Sequence, residues 1–188
     1  MPTYYDFEVH LAECEPRMWR RFLLPSGASF EDLHNAIQDA CGWTHSHLFE
    51  FRDAGGRNSI AVSEHVEEAE VPPADEVPLS SYFKSKRKCR YRYDFGDCWN
   101  HVVELKGKVE LPEKFRRRLL DGLRSFPPED CGGPWGYEEC CYAATVSEAE
   151  LKKMDALGRE EVEERREWLG DWHPEAFDLQ AAKKEFDR

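Results

Sequence analysis

The sequence predicts an α+β fold: a single domain over residues 1–188, with a mainly antiparallel or mixed sheet packed against helices and a helical C-terminal third. Three observations predict it. Residues 3–11 alternate apolar and polar, further strand-like runs separated by turn residues follow up to residue 110, and capped helical patterns dominate after residue 134. Strands lead and helices trail, the order expected of an α+β domain. Aromatic residues make up 13% of the chain. They supply anchors for a core that buries roughly 70% of the surface the unfolded chain exposes.

The elements follow in order. Tyr5, Phe7, Val9 and Leu11 share one face of the first strand, and Asp6, Glu8 and His10 share the other, which reads as a half-buried strand. A second strand runs through "RMWRRFLLP" to Pro25. Ser29 with Asp32 three residues on, and Gly42 at the stop position, delimit a helix. Its apolar stripe is Phe30, Leu33, Ile37, Ala40 and Cys41, with His34 inside it. "HLFEFRDAGGRNSIAV" reads as a hairpin turning at Gly55-Gly56. An acidic, proline-containing surface loop spans about residues 63–80, with a helical turn at residues 79–83.

Residues 87–110 form a central hairpin, and "PEKFRRRLLDGLRSF" reads as a short helix with Pro112 near its first turn. "PPEDCGGPWGYEECCYAATVS" is a loop entering a helix at Pro134, with Cys140 and Cys141 toward the core. Ser147 and Glu150 form a capping-box pattern for the next helical segment.

Composition excludes several classes of function. The formal net charge is -12, and 34% of residues are charged. Such a chain repels nucleic-acid phosphates and anionic membranes on average, so general nucleic-acid binding is disfavoured. No segment approaches a membrane span. The seven cysteines are odd in number and include no C-x-x-C, so neither a disulfide framework nor a zinc knuckle is expected. A soluble protein of a reducing cytoplasm fits these features.

Chemistry concentrates in "YRYDFGDCWNHVVEL". A two-residue turn at Gly96-Asp97 sets Asp94 opposite Trp99 and Arg92 opposite His101, all four on one face. A single bulge at Gly96 reassigns those faces. Asp94, Asp97 and His101, with His47, are candidate ligands for a divalent metal, and Asp94, Asp97 and His101 are also acid–base candidates. The alternative is a hairpin with a wet face.

A second cluster lies in "EDCGGPWGYEE". Gly132 and Gly133 free the backbone for close approach, and the helix beginning at Pro134 favours anions at its N-terminus. Cys131, just before that end, is a candidate nucleophile or metal thiolate; the alternative is a tight turn over an inert thiol. The basic run over residues 84–92 is either a phosphate contact or a charge-protected edge strand.

Taken together, "PRMWRRFLLPSGASFEDLHNAIQDACGW", "SHLFEFR", "YDFGDCWNHVVEL", "PPEDCGGPWGYEE" and "WLGDWHPEAFDL" resemble, in order and over nearly the whole chain, the plasmid pRiA4b ORF-three-like family. The resemblance implies a compact α+β domain and an association with mobile genetic elements, since some members carry a passenger, resolvase-like label. Against that label, the chain has no serine-recombinase arrangement and no basic recognition helix. The resemblance also implies a recurring polar set: Trp19, Arg20, Arg21, His34, His47, Asp94, Asp97, Trp99, His101, Asp130, Cys131 and Tyr137. Cys98 and Asn100 depart from it, standing where a serine and an acidic residue are usual. Trp168, Trp172 and Phe177 are expected to pack the C-terminal helices on the sheet.

Two functions follow from this set. One is a binding or adaptor domain for an unidentified ligand or protein partner. Arg20, Arg21, Trp99, Gly132, Gly133 and Tyr137 would line its cleft. The other is a metal-assisted hydrolase or phosphoesterase using Asp94, Asp97 and His101.

Overall fold

The computed structural model of this chain describes residues 1–63 and 70–187. Residues 64–69, part of the acidic segment expected to be a loop, lie outside the described residues. Seven strands form one antiparallel sheet in the order β4-β3-β5-β6-β1-β2-β7. They are β1 (Thr3–Leu11), β2 (Trp19–Pro25), β3 (Phe49–Asp53), β4 (Ser59–Val62), β5 (Lys88–Tyr93), β6 (Trp99–Glu110) and β7 (Arg118–Leu123). Helix α1 (Phe30–Cys41) follows β2, and the short α2 (Leu79–Phe83) precedes β5. Helices α3 (Gly133–Thr145), α4 (Glu148–Leu151), α5 (Ala156–Leu169) and α6 (Leu179–Phe186) make up the C-terminal third.

Alternation decides which face of the sheet is covered. Tyr5, Phe7, Val9 and Leu11 of β1, with Phe22 and Leu24 of β2, point into the core against Phe30, Leu33 and Ile37 of α1. Burying each such side chain contributes about 1.5–3 kcal/mol. The opposite face carries a charged ladder, with Asp6 paired to Arg21, Glu8 to Arg17 and Glu50 to Arg52 and Arg92.

Helix α1 begins and ends where its sequence directs. The Ser29 side chain accepts from the Asp32 amide while the Asp32 carboxylate accepts from the Ser29 amide, and Gly42 closes the helix in a left-handed conformation. Ser29→Ala is expected to cost about 1 kcal/mol, read by urea denaturation. A second capping box, Ser147 with Glu150, starts α4.

Three expectations are corrected. Residues 112–126 were expected to begin a helix, yet residues 118–123 form β7, the edge strand beside β2. Pairing with the free edge of β2 overrides local helical preference. The basic run is not at an edge either, because β5 lies between β3 and β6. Two of its six cations are paired across the sheet, Lys88 with Glu104 and Arg92 with Glu50. Trp168, expected in the helix–sheet packing, is 51% exposed, whereas Trp172 donates to the Phe126 carbonyl at 2.9 Å.

Candidate functional site

The β5–β6 turn is five residues long rather than two. Asp94 and Cys98 both take left-handed backbone conformations, φ 55° and 57°. The Asp94 side chain makes this possible, because its Oδ1 accepts from the amides of Gly96 at 2.8 Å and Asp97 at 3.3 Å. Asp is among the few non-glycine residues that tolerate this conformation.

The longer turn shifts the register by one. Tyr93 now pairs with Trp99, Arg92 with Asn100 and Tyr91 with His101. A one-residue slip moves each side chain to the other face. Trp99 and His101 therefore enter the core with Tyr91 and Tyr93, while Arg92 remains on the charged face.

This overturns the role expected of His101. It is 1% exposed, with Nδ1 against the Trp99 carbonyl at 3.1 Å and its ring among Trp43, Tyr91 and Phe126. Burial pushes its pKa down from 6.5 to about 3. Such a group is neither a metal ligand at the turn nor an accessible general base. His34 is likewise buried, stacked on Phe49 with its Nδ1 2.8 Å from the Tyr91 hydroxyl, and burial also lowers it to about 3.

Arg20 and Arg21, expected to share a cleft, point to opposite faces of β2. Arg21 forks onto Asp6 through Nε at 2.9 Å and Nη2 at 2.7 Å. Arg20 is buried between the rings of Phe126 and Phe177, where its guanidinium donates to the carbonyls of Ala40, Trp19 and Leu123. It ties the last turn of α1 to β2 and β7, and no part of it is available to an anion. Trp99, expected as a stacking surface, is 1% exposed, and Tyr137 is buried edge-on to Trp172.

The Gly132-Gly133 turn keeps its predicted backbone role but not its anion. The Gly132 amide donates to Asp97 Oδ2 at 3.1 Å, so the chain's own carboxylate occupies the N-terminus of α3. Gly133, at φ 70°, lies so close to the 94–98 turn that a Cβ there would sit 2.6 Å from the Asp97 carbonyl oxygen. Contact with Cys140, burial and the nearby Asp97 raise the Cys131 thiol well above its ordinary pKa. A protonated, buried thiol is a poor nucleophile.

The fold brings together a different set. His47 precedes β3, Asp94 opens the β5–β6 turn and Asp130 precedes α3. One ligand atom from each lies within 4.8 Å of the others. His47 Nε2 is 2.8 Å from Asp130 Oδ1 and 3.6 Å from Asp94 Oδ2. Asp94 presents Oδ2 here because Oδ1 is spent on its own turn. Of the metal candidates, His47 and Asp94 thus join the cluster, whereas Asp97 is held by Gly132 and His101 is in the core. Asp130 was visible only within the polar set implied by the resemblance, because its partner His47 is distant in sequence.

The surrounding loops are firmly placed. Glu129 accepts from the Thr44 amide at 2.9 Å and from the Tyr93 hydroxyl, while that hydroxyl accepts from the Ser46 amide at 3.0 Å. Burial raises the Glu129 pKa, but the hydrogen bonds from Thr44 and Tyr93 lower it more. Asp130 itself is in the left-handed region, φ 60°, as is His45 at φ 61°. Each of the three converging loops thus contains a left-handed residue, His45, Asp94 or Asp130, of a type that adopts this conformation more readily than most. A groove of about 610 Å³ opens beside His47, lined by His34, His45, Ser46, Leu48 and Phe49 among others.

Comparison with known proteins agrees with this architecture. "Uncharacterized protein y4hQ" of Sinorhizobium fredii is 36% identical over 140 residues, 72% of this chain and 70% of that protein. The crystal structure of a protein of unknown function from Methanosarcina mazei Go1 matches with a TM-score of 0.80 at 30% identity, covering 96% of this chain and 98% of that one. Among the described residues no helix is long and apolar enough to cross a membrane. Residues 3–181 match the family described as "Plasmid pRiA4b ORF-3-like protein", and the chain belongs to that family.

Proposed function

We propose that this chain is a ligand-binding domain whose site is a divalent-cation centre formed by His47, Asp94 and Asp130. The observation that carries the reading is their convergence from three separate loops to within 4.8 Å. Ligand atoms about 2.0–2.2 Å from a common ion lie roughly 3.0–3.5 Å apart. The separations of 2.8 and 3.6 Å from His47 Nε2 bracket that range. Two carboxylates offset a dication, and a mixed imidazole–carboxylate set suits manganese, iron or zinc better than calcium. Three protein ligands leave coordination positions open, and an oxygen donor of a ligand seated in the adjoining groove would complete the shell.

Binding is favoured over hydrolysis because the acids flanking the centre are engaged. Asp97 caps α3, and Glu129 holds Thr44 and Tyr93. Neither is free to take a proton from an attacking water in this arrangement.

Calorimetric titration of the purified, chelator-treated chain with Mn²⁺ and Zn²⁺ tests the reading. One equivalent is expected to bind, with Asp94→Asn or His47→Ala weakening affinity about 100-fold while thermal stability without metal changes little. Affinity is also expected to fall as pH is lowered, since imidazole and carboxylate ligate only when deprotonated. Equal affinity in the variants would overturn the reading.

A further inference from the structure

Helices α3 and α5 pack side by side and leave between them a groove of about 1270 Å³. Its aromatic lining is solvent-facing: Trp135 is 76% exposed, and Tyr142 and Trp168 are each 51% exposed. Among the described residues none of these three rings belongs to the hydrophobic core. Six carboxylates and one guanidinium share the groove, and that guanidinium, Arg165, is already bound to Glu139. Glu138, Glu161 and Glu164 make no ion pair among the described residues.

We infer that this groove docks a cationic amphipathic helix from a partner protein. Indole and phenol faces attract ammonium and guanidinium groups, and the alkyl stems of Lys and Arg lie well on aromatic rings while their heads reach a carboxylate rim. The groove's length selects the occupant. Trp135 and Tyr142 are seven residues apart on α3, so their positions are separated by about 10 Å along the axis. That span matches side chains two turns apart on a docked helix and exceeds one small cation. Laying the apolar face of an amphipathic helix into a groove on the partner is a recurring mode of recognition.

Charge argues against the other occupants. A second copy of this chain carries the same formal charge of -12. Anionic lipid and nucleic acid are repelled by the same rim. The groove touches the metal cluster only at Asp130, so this inference stands apart from the proposed cation centre.

The test titrates the full chain with a synthetic 18-residue Lys/Leu helix at physiological salt, followed by calorimetry and tryptophan fluorescence. Micromolar one-to-one binding is expected. It should weaken at least tenfold in Trp135→Ala/Trp168→Ala and in Glu161→Lys/Glu164→Lys, and remain unchanged in Asp94→Asn. All substituted groove side chains are exposed, and circular dichroism verifies their folding. Three outcomes would overturn the inference: equal affinity in the groove variants, equal binding of a Lys/Ser peptide of the same charge, or a native dimer that the groove variants dissociate. Failure of the unsubstituted chain to bind Mn²⁺ or Zn²⁺, with peptide binding intact, would fault the cation centre alone.

Discussion

Lowering the pH from 7 to 5 is expected to remove about 4 kcal/mol of stability, on account of two buried imidazoles. Burial depresses both His34 and His101 from 6.5 to about 3. The unfolded chain therefore takes up a proton at each as pH falls through about 6.5, while the folded chain keeps both neutral. Stability is complete above that value, falls below it, and the fall ends only near the folded value. Each histidine contributes about 1.4 kcal/mol per pH unit within this window.

A loss of that size is a large fraction of the 5–15 kcal/mol typical of a domain. The lowered pKa of Glu129 and of Glu50, each a balance of opposing burial against stronger hydrogen bonding, adds in the same direction at more acidic pH. Urea denaturation at pH 7 and pH 5 measures the effect. His101→Phe, similar in shape and without a titratable group, is expected to halve it. Stability that is flat across this interval would show that both rings protonate in place, and a loss of half the expected size that one of them does.

Gly136→Ala is expected to destabilise the domain by about 3 kcal/mol or more, although it puts the best helix former into a helix. Alanine at an ordinary helical glycine contributes about 1 kcal/mol of stability. At Gly136 the added Cβ would lie 1.7 Å from the Cys131 carbonyl oxygen. Relief requires moving the 127–132 loop off α3, and with it Asp130 and the Asp97–Gly132 hydrogen bond. The variant should lose both thermal stability and metal affinity, whereas Ala144→Gly in the same helix costs only about 1 kcal/mol. An unchanged melting temperature for Gly136→Ala would mean that the loop does not press on the helix.

Much of the architecture was legible in local pattern. Strand β1, helix α1 with both caps, and the start of α3 at Pro134 are set by alternation, capping residues and proline, each a short-range signal. What was not legible depended on partners distant in sequence. Residues 118–123 become a strand only because β2 offers an edge. Whether His101 and Trp99 face inward turned on a one-residue shift of register at the β5–β6 turn. Arg20 and Arg21 could have been separated by alternation alone, since adjacent residues on a strand point apart. His47, Asp94 and Asp130 meet through loop geometry that no spacing rule encodes.

The place of β1 between β6 and β2 sets a timetable for biosynthesis. Strands β1 and β2 are neighbours in the chain and can close as a hairpin as soon as both have left the ribosome. The other edge of β1 must wait for β6, since Thr3 pairs with Glu110. At roughly 5–20 residues per second that wait is on the order of ten seconds. For that interval an early hairpin carries an unsatisfied row of amides and carbonyls beside Tyr5, Phe7 and Val9. An open apolar edge is what holdase chaperones grip and what nascent neighbours aggregate through. The nascent chain is thus most vulnerable before its central ladder has been synthesised.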